Sequence, residues 1–178
     1  MKASKKYITI SLIFFIFIVG YSMLKSSPKG EILAKIKPLD SLAKEENISK
    51  RDSIIKFAFQ YLDKPYIYGS CNKDGFDCSG FVYYVFKKFK IEVPRSSSEY
   101  QNFGKTIPID DVKKGDILVF LSPTRNAIGH VGIVTNPAQM KTEFIHASSG
   151  KEMRVIISSL KQEGYNRRFV KAINILGE

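Results

Sequence analysis

The hydrophobic periodicity of the chain changes at Gly104, and this change limits the folds that are open to it. Apolar residues recur at helical spacing before Gly104, whereas the runs after it alternate and are rich in β-branched and aromatic residues. The sequence predicts helices at 48–62 and 79–89 and a short helical turn at 96–103. It predicts strands at 117–121, 130–135, 142–147, 155–157 and 169–176. Helices followed by consecutive strands are typical of an α+β domain with a mainly antiparallel sheet.

The composition supports one folded domain with appendages. Of the 178 residues, 44% are hydrophobic and 12% aromatic, which is sufficient for a core and excludes a wholly disordered chain. The net charge is +11, and the lysines are scattered along the chain. No nucleic-acid partner is therefore expected, since such binding needs concentrated basic patches. A diffuse positive field favours anionic wall polymers or lipid headgroups instead.

An uncharged segment near the amino terminus predicts export from the cytoplasm. Residues 7–24 carry no charge and follow Lys2, Lys5 and Lys6. Their length is near the lower end of the roughly 17–25 residues that a membrane-spanning helix needs. The lysines favour an amino end in the cytoplasm and a remainder outside it. Residues 1–25 are therefore predicted to be either a signal peptide or a retained transmembrane anchor.

The composition also places the remaining boundaries. Residues 26–47 contain Pro28, Gly30 and Pro38 and only scattered apolar residues, which predicts a linker. Residues 48–178 then form the folded domain, which we expect to be a monomer. It is expected to work outside the cytoplasm, either membrane-anchored or periplasmic or secreted. The membrane is a partner only if the amino-terminal segment stays uncleaved.

Cys78 is the first candidate catalytic residue, because it lies at the start of the second predicted helix, after a Gly-rich loop. Unpaired N–H groups and the positive end of the helix dipole at such a position favour a thiolate, the nucleophilic form of cysteine. The alternative is that Cys78 is a small buried hydrophobic residue, as most free cysteines are.

The chain has two histidines, and both fall in predicted strands that a turn-rich connection joins into a hairpin. We expect Val134 to pair with Thr142. That register places His130 directly opposite His146, with both rings on one face of the sheet. His130 can then take the proton of Cys78, and the second histidine can fix the tautomer of the first. Two histidines without such partners are the alternative.

Metal binding and a disulfide are both disfavoured. Six residues separate Cys71 from Cys78 and fifteen separate the two histidines, and these spacings differ from those of structural zinc sites. A disulfide between the two cysteines suits an oxidising compartment but would block the nucleophile. We therefore expect no metal and no cofactor, and we interpret Cys71 as an incidental loop thiol.

Six short motifs occur in order along residues 50–176. They are PYIYG at 65–69, GFDCSGF at 75–81, VPRSS at 93–97, KGDILVF at 114–120, GHVGIV at 129–134 and FIHAS at 144–148. Together they resemble the NlpC family of papain-like cell-wall peptidases. The resemblance implies a circularly permuted papain-like fold, in which amino-terminal helices carrying the cysteine pack on a five- to six-stranded antiparallel sheet carrying both histidines.

The resemblance also implies an activity and a set of site residues. It implies a peptidoglycan hydrolase, a D,L-endopeptidase that cleaves stem peptides, usually between the γ-carboxyl of D-glutamate and the following diamino acid. By position, Cys78 is the nucleophile, His130 the base and His146 the orienting residue. Three further residues match positions that line the substrate groove of the family: Tyr66, Asp77 and Ser79. Tyr66 is also expected to help the backbone N–H of the cysteine stabilise the oxyanion.

Several alternatives stay open. Asp77 suits a helix N-cap equally well, and Tyr66 also suits the core. The same fold could carry a related amidase or acyltransferase that acts on another amide, or a non-catalytic protein that binds the cell wall. Where the family commonly has Gly-Gly after the aromatic residue, the chain has Gly69-Ser70-Cys71, which predicts a slightly shifted loop.

Overall fold

The computed structural model describes residues 50–177, which begin with helices and a small hairpin. In chain order these elements are α1 (residues 50–59), β1 (Cys71–Asn72), β2 (Gly75–Phe76) and α2 (Cys78–Lys88), followed by a 3-10 turn at Ser97–Gln101. The predicted amino-terminal segment, 1–25, and the predicted linker, 26–47, lie outside the described residues. Within the described part of the chain, no helix combines the length and the apolar character needed to cross a bilayer.

One six-stranded sheet organises the rest of the described chain. Its strands are β3 (Lys105–Ile107), β4 (Ile117–Leu121), β5 (Ile128–Asn136), β6 (Glu143–Ala147), β7 (Val155–Ser159) and β8 (Phe169–Asn174), and a four-residue helix α3 (Glu163–Asn166) precedes the last strand. The strand order is β3-β8-β4-β5-β6-β7, and every neighbouring pair is antiparallel. The predicted α+β class with an antiparallel sheet is therefore confirmed.

Helix α2 forms where the sequence supplies both a cap and an apolar stripe. The side chain of Asp77 accepts a hydrogen bond from the backbone N–H of Gly80 at 2.6 Å, which satisfies one of the unpaired donors of the first turn. Lys87 and Lys88 lie in the last turn, where cations complement the negative end of the dipole. The buried stripe of the helix consists of Phe81, Val82, Val85 and Phe86.

Apolar side chains cover both faces of the sheet. One face packs against α1 and α2 through residues such as Val119 and Val131. The other face carries a second cluster that includes Phe120 and Phe144. A strand that is buried on both faces has a continuous apolar sequence. This double burial explains why β4 is apolar at every position.

The observed elements differ from the predicted ones mainly at their ends. Helix α1 extends to residue 59 rather than 62, α2 begins one residue earlier, at Cys78, and β5 begins at Ile128. Four elements have no predicted counterpart, namely β1, β2, β3 and α3. Each of them is two to four residues long, which is too short for a periodic pattern to be recognised.

The hairpin of β5 and β6 has a different register from the predicted one. Val134 pairs with Phe144, not with Thr142, and the register then shifts at a bulge. Thr142 ends the 3-10 turn Gln139–Lys141, and its hydroxyl accepts a hydrogen bond from the N–H of Ala138 at 2.9 Å, so it belongs to the turn. The prediction that the two histidines are directly opposite each other is therefore wrong. Because the slip is two residues, they still share one face.

Candidate active site

Cys78 is the first residue of α2 and lies at the end of the sheet where β5 begins. Its side chain is buried, and its thiol is a donor to the carbonyl oxygen of Gly129, with an S–O distance of 3.8 Å. Gly80 permits this placement, because a Cβ at that position would overlap the carbonyl oxygen of Ser70. The first turn of α2 is therefore in direct backbone contact with the loop that precedes it.

His130 and His146 form a buried pair on neighbouring strands. The distance from His130 Nε2 to His146 Nδ1 is 2.9 Å, and the two rings are nearly perpendicular, at 88°. His130 is 6% exposed and His146 is fully buried. Because Nε2 of His130 is engaged in this hydrogen bond, its Nδ1 is the nitrogen through which it can exchange a proton.

Two hydroxyl groups that the sequence analysis did not identify contact the far side of His146. Ser158 Oγ on β7 is 3.0 Å from His146 Nε2, and Tyr165 Oη on α3 is 3.3 Å from the same nitrogen. No local sequence signal marks either residue. Ser158 comes close to the histidine only through the pairing of β6 with β7, and α3 is too short to predict.

Burial keeps the three titratable groups of this cluster neutral at neutral pH. Desolvation raises the pKa of the Cys78 thiol to about 11, the charge of Asp77 adds to the shift, and backbone N–H groups oppose it. Desolvation lowers the pKa of His130 to about 3, and the positive charge of Arg168 contributes. Burial and the neighbouring histidine also lower the pKa of His146. Desolvation therefore outweighs the predicted preference for a thiolate at the helix start.

A cleft of about 280 Å³ brings Cys78 and His130 together at this end of the sheet. Tyr66 lines the same cleft. Burial, followed by the charge of Cys78, raises the pKa of the Tyr66 phenol to about 12, so it remains protonated and can donate a hydrogen bond. Glu152 and Arg168 are the charged residues in the described lining.

Asp77 and Ser79 lie beside this cleft and are not part of its described lining. Both are buried, and the hydroxyl of Ser79 donates to Asp77 Oδ1 at 3.3 Å. Arg95 donates to the two carboxylate oxygens at 3.0 and 2.9 Å. With the N-cap bond of α2, these contacts engage the whole carboxylate, and the interpretation of Asp77 as a helix cap is confirmed.

The loop at Gly69-Ser70-Cys71, which differs from the expected Gly-Gly sequence, is closed by a hydrogen bond from the side chain of Ser70. The hydroxyl of Ser70 donates to the carbonyl oxygen of Gly75 at 2.8 Å, across the β1–β2 hairpin. Both cysteines are free thiols: Cys71 is partly exposed and Cys78 is buried. Within residues 50–177, no three His, Cys, Asp or Glu side chains are grouped so that they could hold a metal ion.

Comparison with known proteins agrees with this fold. Residues 63–174 match the NlpC/P60 family, which is more than half of the chain. The chain belongs to the NlpC/P60 family.

Two curated relatives of this NlpC/P60 chain are bacterial enzymes. Gamma-D-glutamyl-L-lysine dipeptidyl-peptidase of Bacillus subtilis (strain 168) is 31% identical over 123 residues, which cover 68% of the chain and 40% of the relative. Murein DD-endopeptidase MepS/murein LD-carboxypeptidase of Escherichia coli (strain K12) is 35% identical over 131 residues, which cover 73% of the chain and 65% of the relative. The chain thus spans less than two thirds of the length of either relative.

A solved structure has the same fold. The crystal structure of an NlpC/P60 family protein from Bacillus cereus ATCC 10987 matches with a TM-score of 0.64 and 27% identity, and the match covers 71% of this chain and 40% of that one. The papain-like fold that the motifs implied is therefore confirmed for the described domain.

Proposed function

We propose that the chain is a cysteine peptidase that cleaves peptidoglycan stem peptides at the bond between the γ-carboxyl of D-glutamate and the following diamino acid. The observation that carries the proposal is that Cys78 and His130 line the same cleft, while His130 is hydrogen-bonded to the buried His146. The names of two relatives support the substrate class, since one refers to the γ-D-glutamyl-L-lysine bond and the other to murein.

The reaction begins from a neutral thiol and a neutral imidazole. Nδ1 of His130 accepts the proton of Cys78 Sγ while the sulfur attacks the γ-carbonyl carbon, so the charges form only as the new bond does. The N–H of Cys78 and the hydroxyl of Tyr66 donate hydrogen bonds to the resulting oxyanion. Such donors stabilise the transition state more than the ground state, because the charge on the oxygen develops during the attack.

The second half of the reaction returns the proton and releases both products. The tetrahedral intermediate expels the amine of the diamino acid, which takes the proton from His130, and leaves a thioester on Cys78. Water then gives a proton to His130 as its oxygen attacks the thioester carbonyl. The thiolate that leaves recovers this proton. Throughout, His146 accepts the Nε2–H hydrogen bond and stabilises the imidazolium.

A digest of defined muropeptides with the full chain tests this function. The wild type and Cys71→Ser are expected to release the same two fragments, whose masses identify the cleaved bond. Cys78→Ala is expected to lose at least about a thousandfold of this activity, because it lacks the nucleophile. Full activity of Cys78→Ala would contradict the assignment.

The same digest separates the two alternatives. Fragments that indicate another amide bond, or transfer of the acyl group to an amine, would indicate a related amidase or acyltransferase. Absence of cleavage together with retained binding to isolated cell walls would indicate a non-catalytic wall-binding protein. The proposed peptidase requires both cleavage at the γ-D-glutamyl bond and its dependence on Cys78.

We also propose that residues 1–25 direct the chain out of the cytoplasm and that residues 26–47 connect them to the domain at 48–178. The charge pattern of the segment and the murein substrate of a relative support this placement. The mass of the mature chain tests the two forms of the proposal. A cleaved signal peptide removes the segment, whereas an anchor keeps the full-length chain in the membrane fraction.

A further inference from the structure

The cleft contains an arginine that two backbone carbonyl groups hold in place and that forms no ion pair with any described residue, including Glu152 in the same lining. Arg168 lines the cleft, and its Nε donates to the carbonyl oxygen of Gly164 at 2.8 Å and its Nη1 to that of Leu121 at 3.1 Å. Its Cζ is 5.1 Å from the centre of the Tyr165 ring. No carboxylate among residues 50–177 lies within ion-pairing distance of this guanidinium.

Among the described residues, these contacts leave three of the five N–H donors of the guanidinium unused. An arginine has five N–H donors in one plane, and the two hydrogen bonds of Arg168 occupy one on Nε and one on Nη1. The remaining donors are on Nη1 and Nη2, the pair of nitrogens that can hold a carboxylate through two parallel hydrogen bonds. Because the protein already fixes the group, binding costs little additional side-chain entropy.

We propose that Arg168 is a specificity residue that binds a free carboxylate of the stem peptide. This inference rests on the proposed function. D-glutamate that is linked through its γ-carboxyl keeps a free α-carboxylate, and a terminal diamino acid carries a second one. Both groups are close to the scissile bond, and amidation of either removes its charge. The chain should therefore distinguish carboxylate from carboxamide substrates.

Occupation of this site also affects the base. The positive charge of Arg168 contributes to the lowered pKa of His130, because a cation opposes formation of an imidazolium nearby. A bound carboxylate compensates that charge. The imidazolium that forms during attack by Cys78 is then less disfavoured, so we expect the carboxylate to raise kcat as well as to lower KM.

Three synthetic stem peptides test the inference. One has both carboxylates free, one is amidated at D-glutamate, and one is amidated at the diamino acid. The full-length wild type is expected to cleave the first about tenfold to a hundredfold more efficiently, in kcat/KM, than one of the amidated peptides, and that peptide identifies the bound group.

Variants of neighbouring arginines assign this preference. Arg168→Met should bring the ratio of kcat/KM values close to one, and Arg168→Lys should give an intermediate ratio, since lysine keeps the charge but not the planar fork. Arg167→Met is the matched control and should keep the wild-type ratio, because Arg167 is exposed and outside the described lining of the cleft. Each ratio is measured within one variant, so partial misfolding cancels.

Two results would overturn the inference: equal cleavage of all three peptides by the wild type, or an unchanged ratio in Arg168→Met. If the wild type cleaves none of the peptides, the proposed function fails. Calorimetry then measures the affinities of Cys78→Ala and of Cys78→Ala/Arg168→Met for the same peptides. The inference is supported if Cys78→Ala binds the peptide with free carboxylates more tightly than an amidated one and the double variant does not. Equal affinities of Cys78→Ala for all three peptides refute it.

Discussion

At the scale of single residues, protonation of His130 determines where the proton of His146 lies. An imidazolium at His130 donates through both nitrogens, so Nδ1 of His146 must accept its hydrogen bond. The proton of His146 is then on Nε2, where the hydroxyls of Ser158 and Tyr165 can accept it. A buried N–H group without an acceptor costs about 1–3 kcal/mol. The two hydroxyls are therefore positioning groups for the tautomer that the proposed mechanism requires.

Replacement of Ser158 by alanine should lower kcat and leave KM nearly unchanged. The expected loss is about 5- to 100-fold, and it lies at the lower end for the single variant because Tyr165 still offers an acceptor. Ser158→Ala/Tyr165→Phe should lose more, and Ser158→Thr should recover activity. Steady-state kinetics on a stem peptide measures these effects.

Ser159→Ala is the matched control for this prediction. Ser159 is the next residue on β7, and its hydroxyl donates to the carbonyl oxygen of Lys141, away from the histidines. Equal kcat values for Ser158→Ala and Ser159→Ala would show that the hydroxyl does not position His146.

The reactivity of Cys78 should depend on pH as that of a protonated thiol does. Burial raises its pKa to about 11, so the thiolate fraction increases about tenfold per pH unit from neutral pH upward. Alkylation of Cys71→Ser by iodoacetamide should accelerate in the same proportion until the pH approaches that pKa. Cys71→Ser/Cys78→Ala, which has no cysteine, measures the background rate. A rate that is constant from neutral pH upward would indicate a thiolate already formed in the free protein.

At the scale of elements, the sequence predicted which strands carry the histidines and that these strands pair as an antiparallel hairpin, but not the register of the pairing. Successive side chains of a strand point to opposite faces of the sheet, which determines the face on which each histidine lies. The motifs placed Cys78 at a helix start. The register instead depends on a bulge and on the hydrogen bond between Thr142 and Ala138, and neither leaves a periodic signal. Ser158 and Arg168 were missed because only the folded chain brings them to the site.

The contact between α2 and the preceding loop makes Gly80 necessary for the position of Cys78. In Gly80→Ala, the added Cβ overlaps the backbone oxygen of Ser70, which no rotamer change can relieve. We expect a loss of about 1–3 kcal/mol in unfolding free energy and a lower kcat. Chemical denaturation and peptide cleavage measure the two effects.

Gly164→Ala is the control for steric effects of an added methyl group. Gly164 lies in α3, and a Cβ there meets no atom within 4 Å. Its stability should change by less than about 1 kcal/mol. If Gly80→Ala is as stable and as active as Gly164→Ala, the close backbone approach does not determine the position of the thiol.

At the scale of the whole domain, a buried ion pair connects the first described helix with the sheet. Arg51 Nη1 is 2.8 Å from Asp116 Oδ1, and Asp116 has no exposed surface. Arg51 also donates to the carbonyl oxygens of Lys114 and Gly177, and so joins α1 to the residues before β4 and after β8. Burial raises the pKa of Asp116, and Arg51 opposes this shift. Arg51 therefore offsets part of the free-energy cost of burying the Asp116 carboxylate.

Arg51→Met should lower the unfolding free energy by about 3–5 kcal/mol at neutral pH, since it leaves a buried carboxylate without its counter-ion. The double variant Arg51→Met/Asp116→Leu should recover most of this loss, because it removes the charge as well. Lys114→Met is the control: it breaks the exposed pair with Asp52 and should cost less than about 1 kcal/mol. Denaturation with urea measures all three.

The pH dependence of this loss distinguishes an uncompensated charge from lost packing. An acid whose pKa is higher in the folded state stabilises the fold when it is protonated, and removal of Arg51 moves the pKa of Asp116 further in that direction. The deficit of Arg51→Met relative to the wild type should therefore shrink as the pH falls from neutral into the acid range. A deficit that is constant over this range would mean that Arg51 stabilises the domain through its stem and its carbonyl contacts rather than through its charge.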